Sequence, residues 1–273
     1  MIVLKKDHPY QVLGIDISSY KKDEFFYLIE QKLTGDGLPE PPLFVVTVNP
    51  EIVVQSIIDN EFRKILARSS INTADGIGIR WAVKFLYGKE VERITGSDSM
   101  ETICRICAQQ SQPVFLYGAM PGVVQKAADN LKEKIPNLSV SGTYSPDRID
   151  VPFEELPADT QYYMSCASVI FVALGAPGQE KWIHENLKKL PNCKLIIGVG
   201  GSFDFIAGSA KRAPDWLCRS GLEWMYRLIR EPSRWRRMIK LPLFALNVLL
   251  LKSSSKTKSD KKKSTPVQQD LAD

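Results

Sequence analysis

Side chains able to do acid–base or phosphate chemistry cluster at the ends of four short apolar runs. They are Thr47, Asn49 and Glu51 at the first run, Asp75 at the second, Gln179 at the third, and Ser202 and Asp204 at the fourth. A carboxylate can accept a proton from an attacking hydroxyl group. The accompanying glycines let a backbone approach a ligand closely, and helix N-termini favour phosphate. The pattern therefore predicts a polar site for a substrate that carries a diphosphate.

Turn formation explains part of the same pattern. Gly, Asn and Asp are favoured in the turns between strands and helices whatever the function, so the glycines alone do not indicate a site. Turns explain Thr47, Asp75, Arg93 and Gln179 poorly. These four residues are therefore the stronger evidence for a functional site.

The apolar runs alternate with helical patterns along the chain. Such alternation predicts an α/β fold with a mainly parallel, Rossmann-like sheet covered by helices. In such sheets ligands bind at the carboxyl ends of the strands, which is where the polar residues above are expected to meet. The predicted strands are 43–48, 71–73, 114–117, 169–174 and 195–199, and the predicted helices are 51–67, 77–87, 121–134 and 179–190.

Three other features give little support to redox, zinc or cofactor chemistry. The segment Gly118–Gly122 follows a predicted strand but lacks the spacing of a dinucleotide-binding loop. Cys104 and Cys107 are interpreted as one face of a helix, because apolar residues surround them and no second cysteine pair lies nearby. The chain also lacks the Asp-x-Asp triplet that many sugar-transferring enzymes use to hold a metal. We therefore expect no cofactor and no metal, with arginines neutralising phosphate charge instead.

Charge is distributed unevenly along the 273 residues. Residues 1–210 carry a net charge of −4, and residues 211–273 carry +9. This asymmetry predicts an anionic partner for the C-terminal part. We predict three regions: an α/β core over 1–210, a basic amphipathic appendage over 211–252, and a disordered polar tail over 253–273.

The appendage mixes arginines with Trp, Tyr and Leu, and the apolar segment Leu241–Leu251 follows them. Eleven residues are too few to span a bilayer, but the composition suits a helix lying on an anionic membrane surface. An ordinary amphipathic helix packed on the core is the alternative. The interleaved aliphatic residues argue against nucleic-acid binding. Five scattered cysteines and no recognisable signal peptide predict a cytoplasmic protein, peripheral on the inner face of the membrane.

Five ordered stretches resemble the WecG/TagA/CpsF glycosyltransferase family. The first is TVNPEI from Thr47, and the second is TADGIG from Thr73 with RITG from Arg93. The third is LGAPGQEKW from Leu174, and the fourth is GVGGSFD from Gly198. The fifth is RAP from Arg212, which continues through GLEWMYRL to Glu231-Pro232. The resemblance covers about residues 10–250. It implies transfer of N-acetylmannosamine or a related hexose from UDP to a polyprenyl-diphosphate-linked sugar, for wall teichoic acid or another surface glycan.

The resemblance also implies roles for individual residues. Asp75 matches the proposed catalytic base, and direct attack of the acceptor hydroxyl would invert the anomeric centre. Thr47 and Asn49 match residues that line the same pocket, and Arg93 and Gln179 match residues that contact the sugar nucleotide. Three arginines of the appendage would approach a substrate diphosphate if the appendage folds over the cleft: Arg227, Arg234 and Arg237.

Two other kinds of function stay open from the sequence alone. A nucleotide-binding regulatory module would use the same phosphate site without catalysis, and would not need Asp75 for affinity. An NAD-dependent sugar dehydrogenase or epimerase would bind NAD. The sequence carries no signal for the oligomeric state.

Overall fold

The computed structural model describes residues 9–35, 41–211, 213–214, 217, 223–230, 232 and 235–263. Six strands form one parallel sheet in the order β4-β3-β8-β7-β5-β6. They are β3 (Leu43–Val48), β4 (Ile71–Ala74), β5 (Val114–Gly118), β6 (Val140–Tyr144), β7 (Val169–Ala173) and β8 (Leu195–Gly198). A separate antiparallel hairpin of β1 (Tyr10–Val12) and β2 (Ile15–Ile17) packs beside β4.

Helices cover both faces of the sheet. In chain order they are α1 (Lys22–Thr34), α2 (Pro50–Ile58), α3 (Asn60–Leu66), α4 (Ile77–Tyr87), α5 (Gly96–Gln109), α6 (Val123–Lys134), α7 (Ala158–Ser165), α8 (Gly178–Asn186), α9 (Ser202–Ile206), α10 (Glu223–Arg230), α11 (Trp235–Met238) and α12 (Lys240–Lys263). Short 3-10 turns occupy Phe153–Glu155 and Leu187–Lys189.

Alternate residues of each central strand pack into two separate apolar cores. On one face, Phe44 and Val46 of β3 contact a cluster built from the hairpin and helices α2, α3, α4, α7, α8 and α12. On the other face, Leu43 and Val45 belong to a cluster with α1, α5, α6 and α9. Strands buried on both faces read as continuous apolar runs, and this is why the sequence pattern predicted them. The predicted α/β fold with a parallel sheet is therefore confirmed.

The structure differs from the predicted elements in several places. The hairpin and helices α1 and α7 were not predicted, and the helix predicted over 179–190 is α8 followed by a 3-10 turn. The helix predicted over 51–67 is two helices, because Asp59 is extended and its carboxylate accepts a hydrogen bond from the Phe62 N–H at 2.9 Å, which starts α3. Strand β6 was missed. It is an edge strand whose residues are all half-buried, and its Ser, Gly and Thr give no apolar run.

Helix α12 packs on α2 and α4, with Phe244 and Val248 buried in the core. Its N-terminal residue Lys240 donates a hydrogen bond to Gln55 Oε1 of α2 at 2.9 Å, and Lys252 donates to the Phe85 and Leu86 carbonyls at the end of α4. The helix continues to Lys263, beyond the predicted start of the tail at 253. Among the helices described, none is long and apolar enough to cross a membrane. The predicted three-part division of the chain stays a prediction.

Candidate active site

A cleft opens at the carboxyl ends of four adjacent strands, β4, β3, β8 and β7. Its volume is about 170 Å³, several times that of one water molecule. Five residues that the sequence assigns to the site line it together: Thr47, Asn49, Asp75, Arg93 and Gln179. Glu51 and Ser202, which were singled out at the same strand ends, also line the cleft, whereas Asp204 is not among its lining residues.

Asp75 lies between Ala74, the last residue of β4, and Gly76, the N-cap of α4. Its backbone N–H donates to the Val48 carbonyl at 2.8 Å, which holds it against the end of β3, and its side chain is half-buried. Gly76 follows with a φ of 88°, a backbone conformation that residues other than glycine rarely adopt. This turn ends the strand abruptly, and it leaves the Asp75 carboxylate in the wall of the cleft.

Arg93 reaches the cleft on a segment that runs parallel to the end of β4. It forms an isolated bridge with Ala74, and the next residue, Ile94, donates its N–H to the Ala74 carbonyl at 3.0 Å. The Thr73 hydroxyl donates to the Ile94 carbonyl at 3.0 Å. These backbone contacts place a guanidinium-bearing residue beside Asp75, although the two lie 18 positions apart in the sequence.

Thr47 and Asn49 line the cleft and also hold its walls. The Thr47 hydroxyl donates to the Gly198 carbonyl at 3.1 Å, which ties β3 to β8. Asn49 Oδ1 accepts the Ile52 N–H at 3.0 Å and so caps α2. Part of the polar signal at this strand end therefore has a structural explanation, and a role in binding substrate is additional to it.

Gln179 is 3% exposed, and both ends of its amide are hydrogen-bonded. Its Oε1 accepts the Gly200 N–H at 3.1 Å, and its Nε2 donates to Glu180 Oε1 at 2.7 Å. Glu180 is fully buried, and desolvation raises its pKa to about 7, although the hydrogen bond from Gln179 lowers it. Sequence reasoning passed over Glu180 even though it follows Gln179 directly. The available signal was a carboxyl group close in sequence to the apolar residues Trp182 and Ile183.

The N-terminal turns of three helices line the cleft. The first turns of α2, α5 and α8 contribute lining residues, among them Glu51, Gly96 and Gln179. Helix N-termini carry partial positive charge and exposed N–H groups, which favour phosphate. Thr95 caps α5 by accepting the Asp98 N–H at 3.2 Å.

Lys240 is a cationic lining residue that the sequence analysis did not single out. It comes from the first turn of α12, 165 positions after Asp75 in the chain. The sequence signal was a single lysine directly before an apolar run, which does not by itself indicate a site. Its place in the cleft depends on the packing of α12 against α2, which no local pattern reveals.

The three arginines predicted to approach a diphosphate are not placed by the structure. Arg227 belongs to α10 and Arg237 to α11, but only the backbone of each is described. Arg234 lies outside the described residues. Their contact with substrate stays a prediction.

Cys104 and Cys107 lie on the buried face of α5, as interpreted from the sequence. Burial raises the pKa of both thiols, that of Cys107 to about 12. Such thiols stay protonated and act as small apolar side chains. Within the described part of the chain, no three His, Cys, Asp or Glu residues are grouped so that they could hold a metal ion.

The chain is similar in sequence to known proteins. Residues 10–258 match the family described as glycosyl transferase WecG/TagA/CpsF. A relative from Bacillus subtilis (strain 168) is 35% identical over 213 residues, which are 78% of this chain and 81% of the relative. One from Bacillus spizizenii (strain ATCC 23059 / NRRL B-14472 / W23) is 35% identical over 210 residues, which are 76% of this chain and 78% of the relative.

Both relatives carry the name N-acetylglucosaminyldiphosphoundecaprenol N-acetyl-beta-D-mannosaminyltransferase. The family match spans nearly all of the chain that carries the sheet and the cleft, and it includes α10, α11 and most of α12. On this evidence the chain is a glycosyltransferase that belongs to the WecG/TagA/CpsF family.

Proposed function

We propose that this protein transfers an N-acetylmannosamine-type sugar from UDP to a polyprenyl-diphosphate-linked N-acetylglucosamine, with inversion at the anomeric carbon. The observation that carries the proposal is the meeting of Asp75, Arg93 and Gln179 in one cleft at the ends of parallel strands. The names of the two relatives supply the acceptor and the transferred sugar. The product would serve the synthesis of wall teichoic acid or another surface glycan.

In the proposed reaction, Asp75 accepts the proton of the acceptor hydroxyl as that oxygen attacks the anomeric carbon of the donor. The new carbon–oxygen bond forms on the face opposite the leaving group. The bond between the anomeric carbon and the diphosphate oxygen breaks, and UDP departs with the electron pair. A single displacement of this kind inverts the anomeric centre.

The departing diphosphate gains negative charge, and positioned cations and N–H groups stabilise such charge in a transition state. Arg93 and Lys240 both line the cleft with Asp75. The N-terminal turns of α5 and α8 add partial positive charge. We assign this group of residues to the diphosphate, with Thr47, Asn49 and Gln179 positioning the sugars or the nucleotide. Arg227, Arg234 and Arg237 are proposed to join them when α10 and α11 close over the bound substrates.

We further propose that the reaction needs no metal ion. The sequence has no Asp-x-Asp triplet, and arginine and lysine side chains remain cationic at neutral pH without a metal. Turnover is expected to survive excess EDTA. Loss of turnover with EDTA and its recovery with Mg²⁺ or Mn²⁺ would show that the diphosphate is held by a metal.

The protein is proposed to work at the inner face of the cytoplasmic membrane, attached peripherally. Exposed leucines on α12 and the positive charge after residue 210 support this location. An acceptor with a polyprenyl tail would be presented at the same surface.

A direct test is to incubate the full chain with a panel of UDP-sugars and a short-chain polyprenyl-diphosphate-N-acetylglucosamine, and to identify products by mass. We expect one added N-acetylhexosamine and released UDP, with UDP-N-acetylmannosamine as the preferred donor. NMR of the product reports the anomeric configuration. Formation of free sugar without a glycosylated acceptor, or a product that retains the donor configuration, would contradict the proposed reaction.

A further inference from the structure

Glu180 is a buried carboxyl group directly behind the wall of the cleft, and the chemistry proposed above makes no use of it. Its side chain has no exposed surface, whereas Gln179 beside it lines the cleft. Removing a carboxyl group from water is unfavourable for its charged form, and its raised pKa reflects this. A glutamine of nearly the same shape would avoid that cost, so the presence of a carboxyl group needs an explanation.

Two hydrogen bonds hold the side-chain amide of Gln179. Glu180 Oε1 accepts from Gln179 Nε2 at 2.7 Å, and the Gly200 N–H donates to Gln179 Oε1 at 3.1 Å. Above its pKa of about 7 the Glu180 carboxylate only accepts, and a backbone N–H only donates. If the Gln179 amide were rotated by half a turn, its oxygen would therefore face the Glu180 carboxylate and its N–H groups would face the Gly200 N–H. The two partners fix which end of the amide is which.

The backbone beneath the amide leaves it little room to move. A Cβ atom added to Gly198 would lie 2.6 Å from Gln179 Nε2, so the glycine at this position admits the side chain. The amide is thereby held between Gly198, Gly200 and Glu180. One N–H of Nε2 and one lone pair of Oε1 remain for a ligand in the cleft, and their directions are set.

The second oxygen of Glu180 points to the same conclusion. Among the described residues, Glu180 Oε2 has no hydrogen-bond partner. Buried polar atoms are usually satisfied, and a carboxyl group kept for structure alone would be expected to bond through both oxygens. The side-chain hydrogen bond that Glu180 makes here goes to the residue that faces the cleft.

We propose that Glu180 is a positioning residue, which holds the Gln179 amide in the orientation that binds the sugar nucleotide. This inference rests on the proposed function for the identity of the ligand. Glu180 does not touch the substrate, and its effect passes through Gln179.

The test compares Glu180→Gln, Gln179→Ala and the double variant, with Glu185→Gln as control. Glu185 is an exposed residue of the same helix, so the control makes the same chemical change away from the cleft. We expect Glu180→Gln to raise the KM for the UDP-sugar about tenfold, with kcat within about threefold of wild type. The reason is that a glutamine can pair with either the oxygen or the nitrogen end of the Gln179 amide. Its thermal stability at pH 8 should be no lower than that of wild type. Glu185→Gln should match wild type in every respect.

The double variant decides whether the effect passes through Gln179. Two substitutions that act through one group are not additive. Adding Glu180→Gln to Gln179→Ala should therefore raise KM by less than about twofold. A further tenfold rise would overturn the proposal, as would an unchanged KM in the single variant.

Gly198→Ala provides a second variant if Glu180→Gln does not fold, because its Cβ displaces the amide directly. As a single variant, Gly198→Ala should raise KM. Combined with Gln179→Ala, it should cause no further rise in KM. Calorimetric titration of each variant with UDP repeats the comparison without turnover. A wild-type protein that binds UDP but transfers no sugar would overturn the proposed function, and the titrations would still decide on Glu180. A wild-type protein that does not bind UDP would overturn both.

Discussion

Asp75 is the residue on which the proposed chemistry depends most. Replacing it by Asn keeps the shape and removes the proton acceptor, so we expect turnover to fall by roughly 100-fold or more while donor binding persists. Initial rates and calorimetric titration with the UDP-sugar measure the two effects. Asp129→Asn, an exposed change on α6, should leave both unchanged. Turnover within a few-fold of wild type in Asp75→Asn would assign the base to another residue.

The raised pKa of Glu180 should also make the free energy of unfolding depend on pH. Its pKa rises from the ordinary 4.5 to about 7 on folding, because burial penalises the charged form. Between these values the folded state binds more protons than the unfolded state, so its contribution to stability is complete below about pH 4.5 and is lost as the pH rises through 7. A shift of this size corresponds to about 3 kcal/mol.

Comparison with Glu180→Gln isolates this effect. The wild type should lose free energy of unfolding relative to the variant as the pH rises from 5 to 8, measured by urea unfolding at each pH. Glu185→Gln, with its exposed side chain, should follow the wild type at every pH. Parallel curves for wild type and Glu180→Gln would mean that the carboxyl group has an ordinary pKa in the folded protein.

At the scale of elements, the position of α12 brings a cation to the site. Lys240 lines the cleft from the first turn of this helix, and Lys252 anchors the same helix to the end of α4 with two hydrogen bonds. Lys240→Ala should lower kcat/KM about tenfold, as expected for losing a cation near a developing negative charge. Lys252→Ala removes the same charge far from the cleft. It should reduce stability at least as much as Lys240→Ala, while activity is kept.

The measurements are steady-state kinetics and thermal unfolding of both variants. If activity falls equally in both, α12 acts by packing alone and Lys240 has no direct role. If neither variant loses activity, the diphosphate is held by other groups.

The elements also show what the sequence could predict and why the rest escaped it. Buried parallel strands such as β3 are apolar on both faces, and their carboxyl ends share one edge, so Asp75 and Gln179 could be expected in one cleft from pattern alone. The half-buried edge strand β6 lacks such a pattern. The break at Asp59 depends on one capping side chain, and Lys240 reaches the cleft by contacts between distant parts of the chain.

At the scale of the whole molecule, the surface of α12 is unusual for a helix that faces water. Phe244 and Val248 are buried against the core, yet Leu243, Leu246 and Leu250 on another side of the helix are 44%, 53% and 56% exposed. A surface helix normally presents polar residues outward. The net charge of +9 after residue 210 adds attraction to an anionic surface. Together these features favour peripheral docking on a membrane.

This docking can be tested without deleting the appendage, which would expose the core that Phe244 and Val248 cover. Replacing Leu243, Leu246 and Leu250 by Ser removes the exposed apolar surface and leaves every charge in place. Fully burying one leucine contributes on the order of 2 kcal/mol, so losing three partly exposed ones should release the protein from phosphatidylglycerol vesicles in a flotation assay. Turnover of a short-chain acceptor in solution should persist, because the cleft is unchanged.

Tyr162→Ser with Tyr163→Ser is the matched control for the leucine variant. These exposed aromatic residues lie on α7, which packs beside β6 at the opposite edge of the sheet from β4. The control should float like wild type, because these residues lie at the other edge of the sheet, away from the exposed leucines of α12. Added salt should weaken flotation of the wild type and of this control, because salt screens the attraction between the basic residues and the anionic lipid. If the leucine variant also floats like wild type, the exposed face of α12 is not what holds the protein at the membrane.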